Sequence, residues 1–176
     1  MPEDLGVSYA VAAPSDAVDW ELLSLLFRQK YASMVRVAEL LVGDRAVAEE
    51  IAQDAFVRLQ PRLGRLGGAD DAQRYLRAIV VNLSRSALRR RGLARRHTLE
   101  IPVRVDDGSG PRAEHADVVA ALRRLPRRQA ECLVLRYYLD LSEAEIAKTL
   151  GISPGSVKTH ASRGLDALSE ILGGEQ

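Results

Sequence analysis

The sequence predicts an all-α protein with two small helical domains joined by a flexible linker, the second domain containing a helix-turn-helix. Although 47% of the 176 residues are hydrophobic, only 5% are aromatic, so the cores must be packed mainly with aliphatic side chains. Apolar residues recur every three or four positions along most of the chain, and few runs alternate as strands do. One long stretch loses this period and gathers Gly, Pro, Asp and Ser, which is typical of a linker whose length lets the flanking halves move independently. The predicted segments are an acidic tail (1–21), an N-terminal domain (22–92), the linker (93–114) and a C-terminal domain (115–172).

The second helix of the N-terminal domain has two contrasting faces. A first helix, 22–42, ends at Gly43, and Asp44 is placed to cap a second helix that ends near Leu59. The buried face of the second helix is predicted to hold Ala48, Ile51, Ala52, Ala55, Phe56 and Leu59. Its opposite side, called the acidic face below, holds Glu49, Glu50, Gln53, Asp54 and Val57. From periodicity alone, this face is either a solvated surface or a docking surface that exposes the apolar Val57 among acids.

The third predicted helix, 72–91, carries arginines without interleaved acids. It is capped by Asp70 or Asp71 and buries one apolar stripe. The arginine edge, as it is called below, comprises Asn82, Arg85, Ser86, Arg89 and Arg90, and Arg91 extends its charge. Such an edge attracts nucleic-acid phosphate, and an Asn there could hydrogen-bond a base. The alternative is a basic, solvated helix end, because cations favour a helix C-terminus.

The C-terminal domain contains a predicted helix-turn-helix from Leu141 to Leu172. Before it, a short helix stops at Pro126, and another is predicted to bury Tyr137 and Tyr138. Within it, Ser142 and Glu145 form a capping box, Gly151 makes the turn, and a helix begins at Ser153-Pro154. Its last helix is predicted to pack inward through Val157, Ala161, Leu165, Leu168 and Leu172. The opposite recognition face comprises Ser156, Lys158, Thr159, His160, Ser162 and Arg163, and its small polar residues and cations suit a DNA major groove.

Composition and short motifs exclude several classes of protein. The net charge of +1 conceals an acidic N-terminus, with no Lys or Arg before Arg28, and six arginines from Arg85 to Arg96. The start lacks the order of a signal peptide, and no apolar run approaches membrane-spanning length, so we expect a cytoplasmic protein without membrane insertion. The lone Cys132 is expected to be a buried, inert thiol. Without ligand spacing around the histidines, a phosphate loop or a nucleophile–base pair, we expect no metal, cofactor or catalytic residue.

Two pieces of sequence carry a resemblance to a known family. The N-terminal half contains GDRAVAEEIAQDAFVRL and then YLRAIVVNLSRSALRRR, and the C-terminal half contains LRRLPRRQAECLVLRYYLDLSEAEIAKTLGISPGSVKTHASRGLDAL. In this order they resemble the extracytoplasmic-function (ECF) class of bacterial RNA polymerase sigma factors, the minimal two-domain members of the main sigma family. The resemblance covers about 22–172.

The resemblance implies a non-enzymatic subunit that binds core RNA polymerase and directs it to specific promoters for transcription initiation. The acidic face would dock on the clamp helices of the polymerase's largest subunit, since Glu50, Gln53 and Asp54 match the family motif. The arginine edge would recognise and melt the minus-ten promoter element, and the recognition face would read the minus-thirty-five element. Ser86 stands where an Asp is frequent, and His160 where an Arg is frequent. These departures bear on the promoter sequence that is preferred.

The resemblance also implies partners besides core polymerase and promoter DNA. An anti-sigma factor is expected to cover the polymerase and DNA surfaces, and the free protein is expected to be a monomer. The acidic tail is hypothesised to screen the basic helix until polymerase binds. The alternative is a helix-turn-helix regulator of the response-regulator output type, whose final helices also read SVKTH. That alternative does not explain why the acidic face and the arginine edge occur in the same protein. A DNA recombinase would need a folded catalytic domain that this helical N-terminal half does not offer.

Overall fold

The computed structural model describes the backbone of 14–97 and 111–173 and the side chains of 19–92 and 117–173, and all the regular secondary structure in these residues is helical. This confirms the all-α prediction. None of the described helices is long and apolar enough to cross a bilayer. The elements are α1 (Pro14–Val42), α2 (Arg45–Leu59), a 3₁₀ turn (Gln60–Arg65), α3 (Ala69–His97), α4 (Pro111–Arg124), α5 (Arg127–Leu133), a π turn (Val134–Tyr138), α6 (Glu143–Leu150) and α7 (Pro154–Gly173).

The first three helices pack together around an aliphatic core. All six residues that the sequence assigns to the inner face of α2 are buried. Gly43 takes a left-handed φ of 69° after α1, and the Asp44 carboxylate accepts a hydrogen bond from the Val47 amide at 3.1 Å. The predicted glycine stop and aspartate cap are therefore confirmed, and they fix the direction in which α2 leaves α1.

The first and third helices are longer than the sequence predicts. The first helix begins at Pro14, within the predicted tail, because proline is compatible with a first helical turn. The third helix starts at Ala69, so Asp70 and Asp71 lie in its first turn, where acids favour the helix dipole. It continues through Gly92 to His97. Residues 1–13 of the tail and 98–110 of the linker lie outside the described part.

The helix-turn-helix has the predicted caps. Ser142 and Glu145 form the reciprocal capping box, and Gly151 takes a left-handed φ of 66°. The inner stripe of α7 was partly wrong, because Leu165 and Leu172 are 39% and 38% exposed. Steps of four residues drift around a helix of 3.6 residues per turn. The stripe instead continues through Gly164, which is buried against α5, to the half-buried Ala167, Leu168 and Ile171.

The turn before the helix-turn-helix departs from the prediction. Val134 to Tyr138 forms a π turn, which rotates the following side chains away from the α-helical stripe. As a result Tyr137 and Tyr138 are 61% and 42% exposed instead of buried. Cys132, on α5 just before the π turn, is fully buried as expected, and burial raises the pKa of its thiol to about 11.

The two halves are in contact, although the length of the linker predicted independent movement. Helix α1 packs against α4 and the π turn, and α3 packs against α6. At one contact the side chain of Arg123 lies over Gly43, where the Cβ of any other residue would come within 2.4 Å of it. The structure therefore brings surfaces of the two halves together.

Candidate docking and nucleic-acid surfaces

The acidic face lies exposed along α2. Val57 is 67% exposed, and Glu50 and Gln53 are also exposed. Arg45 donates to Glu49 at 2.7 Å, and Arg58 pairs with Asp54 at 3.0 Å, both four residues apart on the helix surface. The hydrogen bond that Arg58 donates to the Asp54 carboxylate raises the pKa of Arg58. Within the described residues Glu50 has no ion-pair partner, so the face keeps an unpaired carboxylate beside an exposed apolar side chain.

Aromatic side chains of α1 support this face from below. Phe27 stacks on Tyr31 with ring centroids 4.7 Å apart and meets Phe56 edge-on at 5.0 Å. The Gln53 amide donates to the Tyr31 hydroxyl at 3.4 Å. Phe27 remains 44% exposed, because its ring lies over Tyr31 and not in the core. These ring contacts pack α2 against α1 beneath the acidic face.

The arginine edge is organised by hydrogen bonds along α3. Arg85 donates to the Asn82 side-chain oxygen at 3.0 Å, and Ser86 donates to the Asn82 carbonyl at 3.0 Å. Arg89 donates to the Ser86 hydroxyl, also at 3.0 Å. Arg89 and Arg90 are exposed. The edge is therefore a hydrogen-bonded row of polar groups that includes two exposed cations, Arg89 and Arg90.

Arg91 has a different role from its neighbours. Its guanidinium donates to the Asp44 carboxylate at 2.6 Å and to the Val42 carbonyl at 3.2 Å. The Val47 amide first, and then Arg91, hold the pKa of Asp44 below its ordinary value. Arg91 thus ties α3 to the end of α1 and the start of α2, and it is not part of the free charge that the sequence indicated.

The recognition face lies along the first turns of α7. Lys158, Thr159, Ser162 and Arg163 are exposed, whereas Ser156 and His160 are half-buried. Ser153 accepts a hydrogen bond from the Ser156 amide at 3.1 Å, which caps the helix. The Thr159 hydroxyl donates to the Gly155 carbonyl at 3.0 Å. The face keeps the polar and cationic character expected of a helix that enters a groove.

A cationic cleft of about 420 Å³ joins the arginine edge to the recognition face. It is lined by Arg85, Pro126, Arg127, Arg128, Gln129, His160 and Arg163. Sequence reasoning did not predict this juxtaposition, nor the contribution of the Pro-Arg-Arg-Gln segment at the start of α5. The basic run LRRLPRRQ indicates a cationic segment, but the sequence does not show which surface of the protein this segment packs against.

Glu131 is the residue that sequence reasoning missed at this cleft. It is 1% exposed and accepts hydrogen bonds from Arg85 Nε at 2.6 Å and Nη2 at 2.7 Å. Arg128, three residues earlier on α5, donates to its Oε2 at 3.3 Å. Glu131 begins the apolar run ECLVLRYY, and this position could have indicated its role. An acid buried in such a run almost always has a cationic partner.

No cluster of His, Cys, Asp and Glu that could hold a metal ion occurs among the described side chains. His97 and His115, the histidines outside α7, have side chains beyond the described part.

Comparison with known proteins places both halves in one family. The Sigma-70 region 2 profile matches residues 26–94, and the Sigma-70, region 4 profile matches residues 115–168. The RNA polymerase sigma-E factor of Streptomyces avermitilis is 32% identical over 146 residues, which cover 82% of each chain. The ECF RNA polymerase sigma factor ShbA of Streptomyces griseus subsp. griseus is 33% identical over 145 residues, covering 74% of this chain and 75% of that protein.

Two solved structures share the fold. The sigma factor RpoE from Bartonella quintana, solved with the anti-sigma factor NepR, has a TM-score of 0.70 and 20% identity, covering 87% of this chain and 98% of that chain. CnrH, solved with the cytosolic domain of CnrY, has a TM-score of 0.73 and 21% identity, covering 92% of this chain and 94% of that chain.

Proposed function

The chain belongs to the ECF class of sigma-70 family RNA polymerase sigma factors, and from that premise we propose how its three surfaces divide the work of promoter recognition. As a sigma factor it binds core RNA polymerase and directs it to promoters. The observation that carries the proposal is the separation of charge: one acidic surface on α2 and two cationic surfaces on α3 and α7.

The acidic face is the surface that docks on core polymerase. Support comes from Val57, which is 67% exposed, and from carboxylates whose present partners are surface arginines on the same helix. Such pairs stabilise a helix by only about 0.2–0.5 kcal/mol each, so exchanging them for a cationic partner costs little. The exposed valine adds apolar area at the centre of the contact.

The arginine edge is the surface that captures the minus-ten element. Arg89 and Arg90 would neutralise phosphates, and the side chains of Asn82 and Ser86 would contact a base taken out of the stack. The hydrogen bonds along the edge support this role, because ordered side chains lose little freedom on binding. Removing a base from the stack costs a few kcal/mol, which the cationic surface must offset.

The recognition face is the surface that reads the minus-thirty-five element in the duplex major groove. Lys158 and Arg163 supply charge, and Ser156, Thr159 and Ser162 are short enough to let α7 approach the base edges. His160, half-buried at the cleft, departs from the arginine frequent in the family and should alter the preferred sequence.

Catalysis belongs to the polymerase, and we place the protein with it in the cytoplasm, as a monomer when free. An anti-sigma factor is a further expected partner. Support comes from the solved relatives that share the fold, one of which is described as a complex of a sigma factor with an anti-sigma factor.

Run-off transcription with purified core polymerase tests the function. A genomic fragment library should yield discrete transcripts only when both proteins are present, and mapping their start sites gives the promoter. The regulator alternative makes the opposite prediction, because an ordinary helix-turn-helix regulator binds duplex DNA on its own. Tight, specific duplex binding by the free chain, without any effect on transcription by core polymerase, would refute the sigma-factor assignment.

A further inference from the structure

The start of α5 carries an exposed arginine that none of the three surfaces includes. Among the described side chains, Arg127 has no ion-pair partner. Its neighbour Arg128 differs, because it donates to the buried Glu131 carboxylate at 3.3 Å. Arg163 on α7 resembles Arg127, since it is exposed and has no ion-pair partner in the described part of the chain. Arg127 and Arg163 therefore both keep their full charge for a partner.

Close packing of α5 against α7 brings these two arginines together. A Cβ added to Gly164 would lie 3.1 Å from the Leu133 Cδ1 atom and 3.2 Å from the Gln129 Cβ atom, so the glycine lets the two helices approach closely. Arg163 directly precedes Gly164, and Arg127 lies two residues before Gln129. Both arginines line the same cationic cleft. The start of α5 thus adds positive charge to the side of the recognition helix.

The dimensions of a DNA duplex decide what these arginines can reach. A major groove about 12 Å wide admits one helix, whose diameter is about 10–12 Å, so α5 stays outside a groove that α7 occupies. Recognition helices place their N-terminal residues on the base edges. Arg163 lies seven residues after Ser156, or about 10 Å along the helix axis, whereas the groove is only about 8.5 Å deep. Arg163 and Arg127 are then level with the phosphates at the edge of the groove.

We propose that Arg127 and Arg163 bind backbone phosphates on one side of the minus-thirty-five element, so that α5 is a second DNA-contacting helix beside α7. This inference rests on the proposed function of the recognition face. It assigns Arg163 to the DNA backbone and leaves base reading to residues 156–160 at the start of α7. Guanidinium groups bind phosphate through paired hydrogen bonds. Such contacts supply affinity and fix the position of α7 in the groove, but they carry no sequence information.

The test is an Arg127→Ala variant in holoenzyme assembled with core polymerase. The probe is a fluorescein-labelled duplex carrying a promoter mapped by run-off transcription, and its affinity is measured by anisotropy between about 50 and 200 mM salt. Loss of one phosphate contact should lower the slope of log affinity against log salt concentration by about 0.9 and weaken binding about five- to tenfold at about 0.1 M salt. Arg163→Ala should have the same effect, which provides a variant on a different helix if Arg127→Ala fails to fold.

Single base-pair changes across the minus-thirty-five element separate backbone contacts from base contacts. Arg127→Ala and Arg163→Ala should weaken binding by the same factor, to within about twofold, on every one of these promoters. Thr159→Ala should instead change the ratio of affinities between promoters, because Thr159 lies on the part of α7 that reaches the bases. If either arginine variant no longer discriminates at one base pair, that arginine reads a base and the proposal is overturned.

A matched control is Arg136→Ala, which removes the same charge from the same domain. Arg136 lies nine residues after Arg127, beyond the end of α5, and pairs with Glu143 at 3.2 Å. Holoenzyme with this variant should keep the wild-type slope. A wild-type slope in Arg127→Ala, or an equal loss in Arg136→Ala, would overturn the proposal, and the proposed function survives that result if wild-type holoenzyme transcribes. If wild-type holoenzyme does not transcribe, the proposed function fails and this inference fails with it.

Discussion

Replacing Arg91 tests whether neighbouring arginines on α3 have separate roles. Arg91→Ala removes the 2.6 Å ion pair to Asp44 and the 3.2 Å hydrogen bond to the Val42 carbonyl, whereas Arg90 is exposed and has no described partner. The ion pair contributes at most about 1 kcal/mol, because its side chains are 32% and 38% exposed. The charged hydrogen bond to a helix-end carbonyl, which is long at 3.2 Å, adds about 1.5 kcal/mol, the lower end for a charged donor.

We therefore expect Arg91→Ala to lower the free energy of unfolding by about 2 kcal/mol, or the melting temperature by roughly 4–8 °C for a chain of this length. Thermal unfolding followed by circular dichroism measures this. Arg90→Ala should change the free energy of unfolding by less than about 0.5 kcal/mol. It should nevertheless weaken promoter binding by holoenzyme and lower the slope of log affinity against log salt concentration by about one, the value for one lost phosphate contact. An Arg91→Ala protein that melts like wild type and weakens DNA binding as much as Arg90→Ala would refute this reasoning.

Three further changes probe the acidic face, a cap and the helix-turn-helix core. Asp54→Lys should reduce affinity for core polymerase at least about tenfold without unfolding the protein, because it reverses charge at the docking surface; fluorescence titration with core measures this. Ser142→Ala should destabilise the second domain by about 1 kcal/mol by removing a helix cap, as judged by urea unfolding. Gly164→Leu should destabilise it by about 1–3 kcal/mol or more through overpacking against α5, and should abolish recognition of the minus-thirty-five element.

Asp54→Lys and Gly164→Leu each have a control variant. Glu170→Lys reverses an exposed charge on α7, away from α2, and should leave core affinity unchanged. Gly173→Ala adds a methyl group where nothing lies within 4 Å and should be tolerated. Undiminished core affinity in Asp54→Lys would remove the docking assignment, and wild-type unfolding of Gly164→Leu would show that α7 and α5 are not packed as described.

Acidification should reduce the effect of Ser142→Ala. The hydrogen bonds from the Ser142 hydroxyl and amide hold the pKa of Glu145 below its ordinary value, so the charged carboxylate stabilises the folded state. That contribution is present above the ordinary pKa and is lost as pH falls through the lowered one. The stability difference between wild type and Ser142→Ala should therefore be larger at pH 7 than at pH 3. An equal or growing difference at pH 3 would contradict the capping box as its source.

Local patterns predicted the parts of the fold that local physics determines. The inner face of α2, the turn at Gly43 and the capping box at Ser142 each depend on residues within a few positions of one another, and all were predicted correctly. The failures also have local causes. The stripe on α7 was extended in steps of four to Leu165, and the π turn that exposes Tyr137 leaves no periodic signal.

The site could be predicted only as separate pieces. Sequence and resemblance indicated which residues form the arginine edge and the recognition face, and these remain proposals to be tested. They did not indicate that Arg91 belongs to the fold, because its partner Asp44 lies 47 residues away. Nor did they indicate Glu131, whose partner Arg85 lies 46 residues away in the other half. Contacts at such separations depend on tertiary packing, which one sequence does not display.

The second cationic partner of Glu131 has a consequence for the contact between the two halves. If Arg85 were the sole partner of Glu131, the loss of their contact would leave a buried carboxylate without a counter-ion, which is strongly unfavourable. Arg128 already touches Glu131 at 3.3 Å and travels with it, because both residues belong to α5. If Arg85 is replaced, Arg128 can still pair with the Glu131 carboxylate. We therefore expect the second domain to keep a counter-ion for this buried acid in the absence of Arg85.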